Sequence, residues 1–269
     1  MRAKITSVSN PRIKQLVRLR KRSQRDALQL ILIDGIRELQ RALDAQVVIK
    51  ELFVCPELVQ DYQEPETAAL IEKQLKDKAV VYEVTESIFN KIGFGERKEG
   101  VLAVGEIKKK DLAQVELSKN PCILVVEDVE KPGNLGAILR TCDGAGIDAV
   151  FICQNRTDIY NPNVIRASLG TVFTNQVIAC TNTEAQDFLQ DRQIRVVAAT
   201  PEAECIYTKV NLKDPVAVVV GREDKGLSEQ WMKIASEHVR IPMKGQADSL
   251  NVSVSTGLLL YETLRQREN

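Results

Sequence analysis

The chain has 269 residues, 44% hydrophobic and 28% charged, with 37 Lys+Arg against 37 Asp+Glu. That is mass for two modest domains; no run approaches the roughly 18 apolar residues of a membrane helix, and the basic N-terminus lacks the apolar segment of a secretory signal. Six scattered cysteines without a C-x-x-C pair argue against a zinc ribbon, a thioredoxin-type motif or a disulfide scaffold, and the single histidine, His238, excludes a His–His metal site within one chain. A cytoplasmic protein without membrane contact or metal is expected.

Residues 1–25 hold nine cations, Arg18, Arg20, Lys21 and Arg22 among them, and no acid, leaving 28 basic against 37 acidic residues in the remainder. A basic leading segment on an acidic body predicts contact with a polyanion, the bland alternative being a solvated helix face. Aromatics are only 4%, so phosphate contact and shape reading are expected in place of base stacking. Asn10-Pro11 opens a predicted helix through Arg22, with Ile13, Leu16 and Val17 at helical spacing. Residues 28–33 read as a strand, and Asp34-Gly35 turns into a helix carrying Ile36, Leu39 and Leu43 on one stripe. Strands follow at 49–55, 80–84 and 101–104, with a helical stretch at 66–76 between. This is a small α/β domain over 1–106, and the charged run 107–120, ending in Asn120-Pro121, is the predicted linker.

From residue 121 to 269 the units lengthen. Apolar strands are predicted at 122–126, 149–153, 177–180, 194–200, 216–220 and 239–241, and helices up to about 145 and at 184–191, 228–235 and 252–267. Continuous Val/Ile/Ala strands alternating with helices mean a parallel sheet covered on both faces, so the fold class is α/β.

Ligands gather at the carboxyl ends of strands in such folds, and three loops there stand out. The first, Glu127 to Arg140, has Gly133 and Gly136 outside a G-x-G-x-x-G frame, so a nicotinamide site is poorly supported. The second, Gly221-Arg222-Glu223-Asp224-Lys225-Gly226-Leu227-Ser228, has Leu-Ser where a phosphate-binding loop needs Lys-Ser/Thr. In the third, residues 241–255, Ser249 or Asn251 is placed to cap the final helix.

Taken together, Asn134-x-Gly136-x-x-x-Arg140, Gly221-x-Glu223-x-x-Gly226-Leu227-Ser228 and Ser249-Leu250-Asn251-Val252-Ser253, each after a strand, resemble the SpoU (TrmH-like) family of SPOUT-class RNA 2′-O-ribose methyltransferases. Asn161-Pro162-x-x-x-Arg166-Ala167-Ser168-x-Gly170 is also similar to that family, and the run 32–39 resembles its ribosomal-protein-like RNA-binding domain, with Asp34, Arg222 and Ser255 as departures. The resemblance implies a C-terminal parallel sheet tied in a trefoil knot, S-adenosylmethionine as cofactor, a homodimer, and structured RNA as substrate, ribosomal RNA favoured over transfer RNA. By the same analogy Asn134, Arg140, Glu223, Ser249 and Asn251 are the catalytic candidates. Thr200, Gly221, Ile241 and Leu250 are the cofactor-binding candidates, and Arg166 joins Arg18, Arg20, Lys21 and Arg22 on the RNA. A guanidinium keeps its proton at neutral pH, so phosphate binding and alignment of the ribose suit Arg140 better than the role of base; Glu223 is the acidic candidate. A catalytically silent RNA-binding protein of the same fold is the alternative reading.

Overall fold

The computed structural model describes residues 2–61, 69, 79–94, 99–107, 109–154, 158–222 and 225–268. The chain divides into two compact units, Met1–Lys108 with Tyr160–Thr174, and Lys109–Ile159 with Asn175–Asn269.

The first unit contains β1 (Arg2–Ile5), α1 (Pro11–Arg18), α2 (Arg22–Leu28), β2 (Leu30–Asp34), α3 (Ile36–Asp44), β3 (Ile49–Val54), α4 (Pro56–Asp61), β4 (Val80–Val84), α5 (Glu86–Ile92) and β5 (Val101–Glu106). Its sheet runs β1-β4-β3-β5-β2, parallel from β1 through β3 and antiparallel from there through β5 to β2. Ile13, Leu16 and Leu19 close over Leu32, Phe53, Phe89 and Leu102 in its core. The predicted helix to Arg22 breaks after Arg18, because Arg25 is buried and donates from Nη1 to the carbonyl oxygens of Leu19 and Arg20, each at 2.7 Å. A guanidinium thus satisfies carbonyls that the helix end leaves without partners. The helix expected at 66–76 lies outside the described residues, apart from residue 69.

Two differences from the sequence reading concern the boundary. The expected linker is part of the second unit from Lys109 on: Leu112–Gln114 forms a 3₁₀ turn with Asp111 as cap, and Leu112, Val115 and Leu117 pack on that unit's core. The segment Tyr160–Thr174, expected within the second domain, groups with the first unit. It forms α7 (Pro162–Ala167) and α8 (Thr171–Thr174). Arg41 Nη1 donates to Leu169 O at 2.7 Å, Arg166 Nη1 lies 3.2 Å from Asp34 Oδ2, and Gly170, with φ +83°, leaves its Cβ side to the Glu38 backbone.

The second unit adds β6 (Cys122–Glu127), α6 (Pro132–Ala145), β7 (Ala149–Cys153), β8 (Val177–Cys180), α9 (Asn182–Asp191), β9 (Arg195–Ala199), β10 (Cys205–Ile206), β11 (Val216–Val220), α10 (Glu229–Ile234), β12 (Glu237–Arg240) and α11 (Val252–Glu268). Among the described residues its sheet has seven strands in the order β10-β12-β9-β11-β6-β7-β8, all parallel. Strands such as Val-Ala-Val-Val-Val at β11 are buried along their whole length, as a sheet covered on both faces requires. Ile123, Val125, Phe151, Phe188, Val219 and the fully buried Trp231 make its core. The last strand, β12, returns between β10 and β9, and α11 then packs along α6.

Candidate active site at the carboxyl ends of the parallel strands

Three neighbouring strands, β12, β9 and β11, end at one side of the second sheet, and the loops after them enclose a cavity of about 630 Å³. Thr200 and Glu202 line it from the loop after β9, Gly221, Arg222, Lys225, Gly226 and Leu227 from the loop after β11, and Ile241, Met243, Ser249 and Leu250 from the loop after β12. All four residues expected at the cofactor therefore face one cavity, together with Ser249. Thr200 is held by its own N–H to Val239 O at 2.9 Å, and its hydroxyl donates to Glu202 Oε2. That bond holds the Glu202 carboxyl below its ordinary range.

Gly221 has a steric reason to be glycine. A Cβ there would stand 2.4 Å from Gly226 O and 2.6 Å from Gly226 C, both backbone atoms with no freedom to retreat. The loop folds back on itself through Arg222 N–H to Gly226 O at 3.2 Å and Gly226 N–H to Arg222 O at 3.0 Å, with Gly226 at φ +61°.

A second, smaller cavity of about 190 Å³ opens beside the first, lined by Asp128, Val129, Glu130, Lys131, Asn134, Arg222 and Val252. Asn134 lies in the first turn of α6 and accepts from Asn251 Nδ2 at 3.3 Å. Asn251 Oδ1 in turn accepts from Ser253 N–H at 3.0 Å, capping the start of α11. The first and third motifs thus meet through two amides. Arg140 does not join them: it is exposed further along α6. Glu223 lies outside the described residues.

Two carboxylates that the sequence reading passed over hold the loops. Glu127, buried at the end of β6, accepts from Ser228 N–H at 2.7 Å and from Asn182 Nδ2 at 2.6 Å. Asp128, next to it, pairs with Arg222 at 2.9 Å. An acid ending the otherwise apolar run Cys-Ile-Leu-Val-Val-Glu was the available sign, since a buried carboxylate needs donors and so must organise what surrounds it.

In the first unit, the expected RNA-binding cations divide. Arg20 donates to the carbonyl oxygens of Lys91 and Gly93, each at 2.8 Å, with its guanidinium carbon 4.8 Å from the Phe94 ring centre. Arg12 pairs with Glu51, Lys4 with Glu83 at 3.2 Å, and Arg22 with Asp26 at 3.5 Å. Arg166 is turned to Asp34, whose carboxyl is pushed up to about 6 by burial; the Phe94 N–H and Arg166 oppose that rise, and Glu99 adds to it. Lys14 and Arg18, four residues apart on α1, and Lys21 after it remain exposed to solvent.

A family model described as the SpoU rRNA Methylase family matches residues 121–261, and one described as an MRM3-like substrate binding domain matches 10–103. The chain belongs to the SpoU rRNA methylase family. It is similar to a 23S rRNA (guanosine-2′-O-)-methyltransferase, RlmB, of Pectobacterium atrosepticum, 38% identical over 148 residues, which are 55% of this chain and 61% of that protein. The chain thus spans less than two thirds of that relative's length. Family likeness covers the whole chain in a crystal structure of an RNA 2′-O ribose methyltransferase, with 41% identity, a TM-score of 0.86, and 99% of this chain and 100% of that one aligned. An AdoMet-bound rRNA methyltransferase from Sinorhizobium meliloti is 26% identical with a TM-score of 0.89 over 98% of both chains. No helix among the described residues is long and apolar enough to cross a membrane.

Proposed function

We propose that the chain methylates a ribose 2′-hydroxyl of structured RNA, ribosomal RNA before transfer RNA, with S-adenosylmethionine as donor. The observation that carries this reading is the convergence of Thr200, Gly221, Ile241, Ser249 and Leu250 on one cavity, with the Asn134–Asn251 pair at the start of the helices beside it. The cavity fits the donor: its volume lies in the range of small-molecule sites, and Ile241, Leu250, Met232 and Met243 give apolar walls for an adenine. The missing side chain at Gly221 lets the Gly226 backbone close against it in the cavity wall, and main-chain polar groups there read the adenine edge.

S-adenosylmethionine supplies a methyl group already activated on a sulfonium, so the protein's work is orientation, proton removal and exclusion of water. Asn134 and Asn251 orient the sugar through their amides, and Ser249 adds a hydroxyl at the cavity edge. The 2′-oxygen gains the methyl and its proton passes to an acceptor, for which Glu223 is the acidic candidate of this chain. Arg140, exposed on α6, binds the phosphate or sugar of the reacting nucleotide. It does so at the cavity of a second subunit: α6 packs on α11, and α11 exposes Val254, Leu258 and Tyr261 along one stripe, an apolar surface suited to a homodimer. Lys14, Arg18 and Lys21 hold RNA phosphates from the first unit, with Arg22 beside them. The six cysteines are free thiols, in keeping with work in the cytoplasm.

The test is incubation of the purified protein with S-adenosylmethionine carrying a labelled methyl and with 23S rRNA or transfer RNA, followed by mapping of 2′-O-methyl positions. Label at a ribose of 23S rRNA is expected. Donor binding by calorimetry without transfer to any RNA would favour the silent binder, and absence of donor binding would defeat the reading.

A further inference from the structure

Arg222 stands at the seam of the two cavities, lining both. Its backbone is fixed by the paired bonds with Gly226. Its Nη1 lies 2.9 Å from Asp128 Oδ2 and 3.4 Å from Glu130 Oε1, and the Arg222 and Asp128 side chains are only 14% and 13% exposed. Asp128 is the first residue after β6 and sits at φ +56°, a conformation that persists in a non-glycine residue only when its surroundings hold it. Its N–H reaches Cys153 O at 3.1 Å, and its carboxylate reaches Arg222. Three residues on, Lys131 occupies the position just before α6, and Asn134 follows in the first turn. One guanidinium therefore spans from the loop that walls the large cavity to the loop that delivers Asn134.

We propose that Arg222 is a positioning residue for methyl transfer: by pairing with Asp128 and Glu130 it holds the 128–131 loop against the 221–226 loop, and so keeps Asn134 in register with the large cavity. Two carboxylates on one short loop repel when the cation between them is removed, and the loop then swings away with the helix start it carries. The inference rests on the function proposed above.

The experiment compares wild type with R222A, R222K, D128N and the R222A/D128N pair, reading kcat and KM on 23S rRNA, donor affinity by calorimetry, and thermal midpoint. A misplacement of about 1 Å costs up to ~100-fold in rate, so R222A is expected to lose about tenfold or more in kcat, with donor affinity within about threefold. R222K should recover part of that loss, because it keeps the charge. D128N should show a similar kcat loss, and the pair should be no worse than R222A alone, the non-additivity of two groups in one contact. Unchanged kcat in R222A overturns the proposal. So does a loss confined to donor affinity, which would make Arg222 a wall of the cofactor cavity only, or additive losses in the pair. If R222A does not fold, R222K against D128N decides: a kcat loss in D128N absent from its donor affinity supports the role, and wild-type kcat in D128N overturns it. A wild type inactive on RNA would instead defeat the functional reading, while coupling of the two residues in the thermal midpoint would still report whether the pair joins the loops.

Discussion

Gly221→Ala perturbs the proposed cofactor cavity with a single methyl group. The new Cβ would lie 2.4 Å from Gly226 O, 2.6 Å from Gly226 C and 2.9 Å from Leu227 N, all main-chain atoms. To make room, residues 221 and 226 must part, which opens the Arg222 N–H to Gly226 O bond and the Gly226 N–H to Arg222 O bond. At about 0.5–1.5 kcal/mol for each bond, the distortion costs roughly 1–3 kcal/mol. Charged against donor binding, that is about a 5- to 150-fold loss of S-adenosylmethionine affinity. The loop carries Arg222 and Leu227 in the cavity wall and Ser228 on Glu127, so the strain is not confined to one residue. The assay is calorimetric titration of the donor, with Gly245→Ala as control, because a Cβ at Gly245 meets nothing within 4 Å. Gly245→Ala should bind like wild type, and Gly221→Val should be worse than Gly221→Ala. Donor affinity in Gly221→Ala equal to wild type, in a protein with an unchanged melting midpoint, would refute the close-approach argument and leave this glycine as a strand terminator.

Arg140→Ala should abolish methyl transfer while donor affinity stays within a few-fold, and Arg140→Lys should also be poor because a point charge cannot reproduce a planar fork; wild-type transfer rates in a single-turnover assay would remove Arg140 from the site. Replacing Lys14, Arg18 and Lys21 together by Gln should lower the slope of log K against log salt for RNA by about 2 to 3 units, at ~0.7–0.9 per phosphate contact; a salt series with an unchanged slope would make this face a solvated one. Asp34 is raised to about 6 from an ordinary 3.8, chiefly by burial, so the folded state holds its proton more tightly than the unfolded one. Stability from this group is full below about pH 4 and falls as pH rises through about 6, by on the order of 3 kcal/mol. Chemical denaturation of Asp34→Asn across pH 4–7 should show that fall reduced, and a pH dependence like wild type would contradict it. Glu127→Ala should destabilise the second unit by about 1–3 kcal/mol, since it removes the acceptor of the part-buried Ser228 N–H and one of two acceptors of Asn182 Nδ2, which keeps Gln230 Oε1 at 3.2 Å, and urea melts would measure it.

The alternation of apolar strands with helices was legible in residues 121–269 because a parallel sheet buries both faces, and its strands then read as unbroken Val, Ile and Ala runs. The same run marks β11 at Val216–Val220 in the sequence and in the fold. The resemblance to the SpoU family singled out Thr200, Gly221, Ile241 and Leu250, and the fold brings them to one cavity because the loops after β9, β11 and β12 face one side of the sheet. What the sequence could not assign is which partner a charged side chain takes. Arg20 and Arg166 look like free cations in a chain of letters, yet one folds onto carbonyls beside Phe94 and the other onto the buried Asp34. Arg25 breaks the first helix by turning onto the carbonyls at its end, where helical spacing alone predicted continuation. Glu127 and the Arg222–Asp128 pair join residues about a hundred positions apart. Apolar periodicity is a local property, set by the face each residue must hide. An ion pair or a buried hydrogen bond is a choice among many distant donors and acceptors, and only the packed chain makes it.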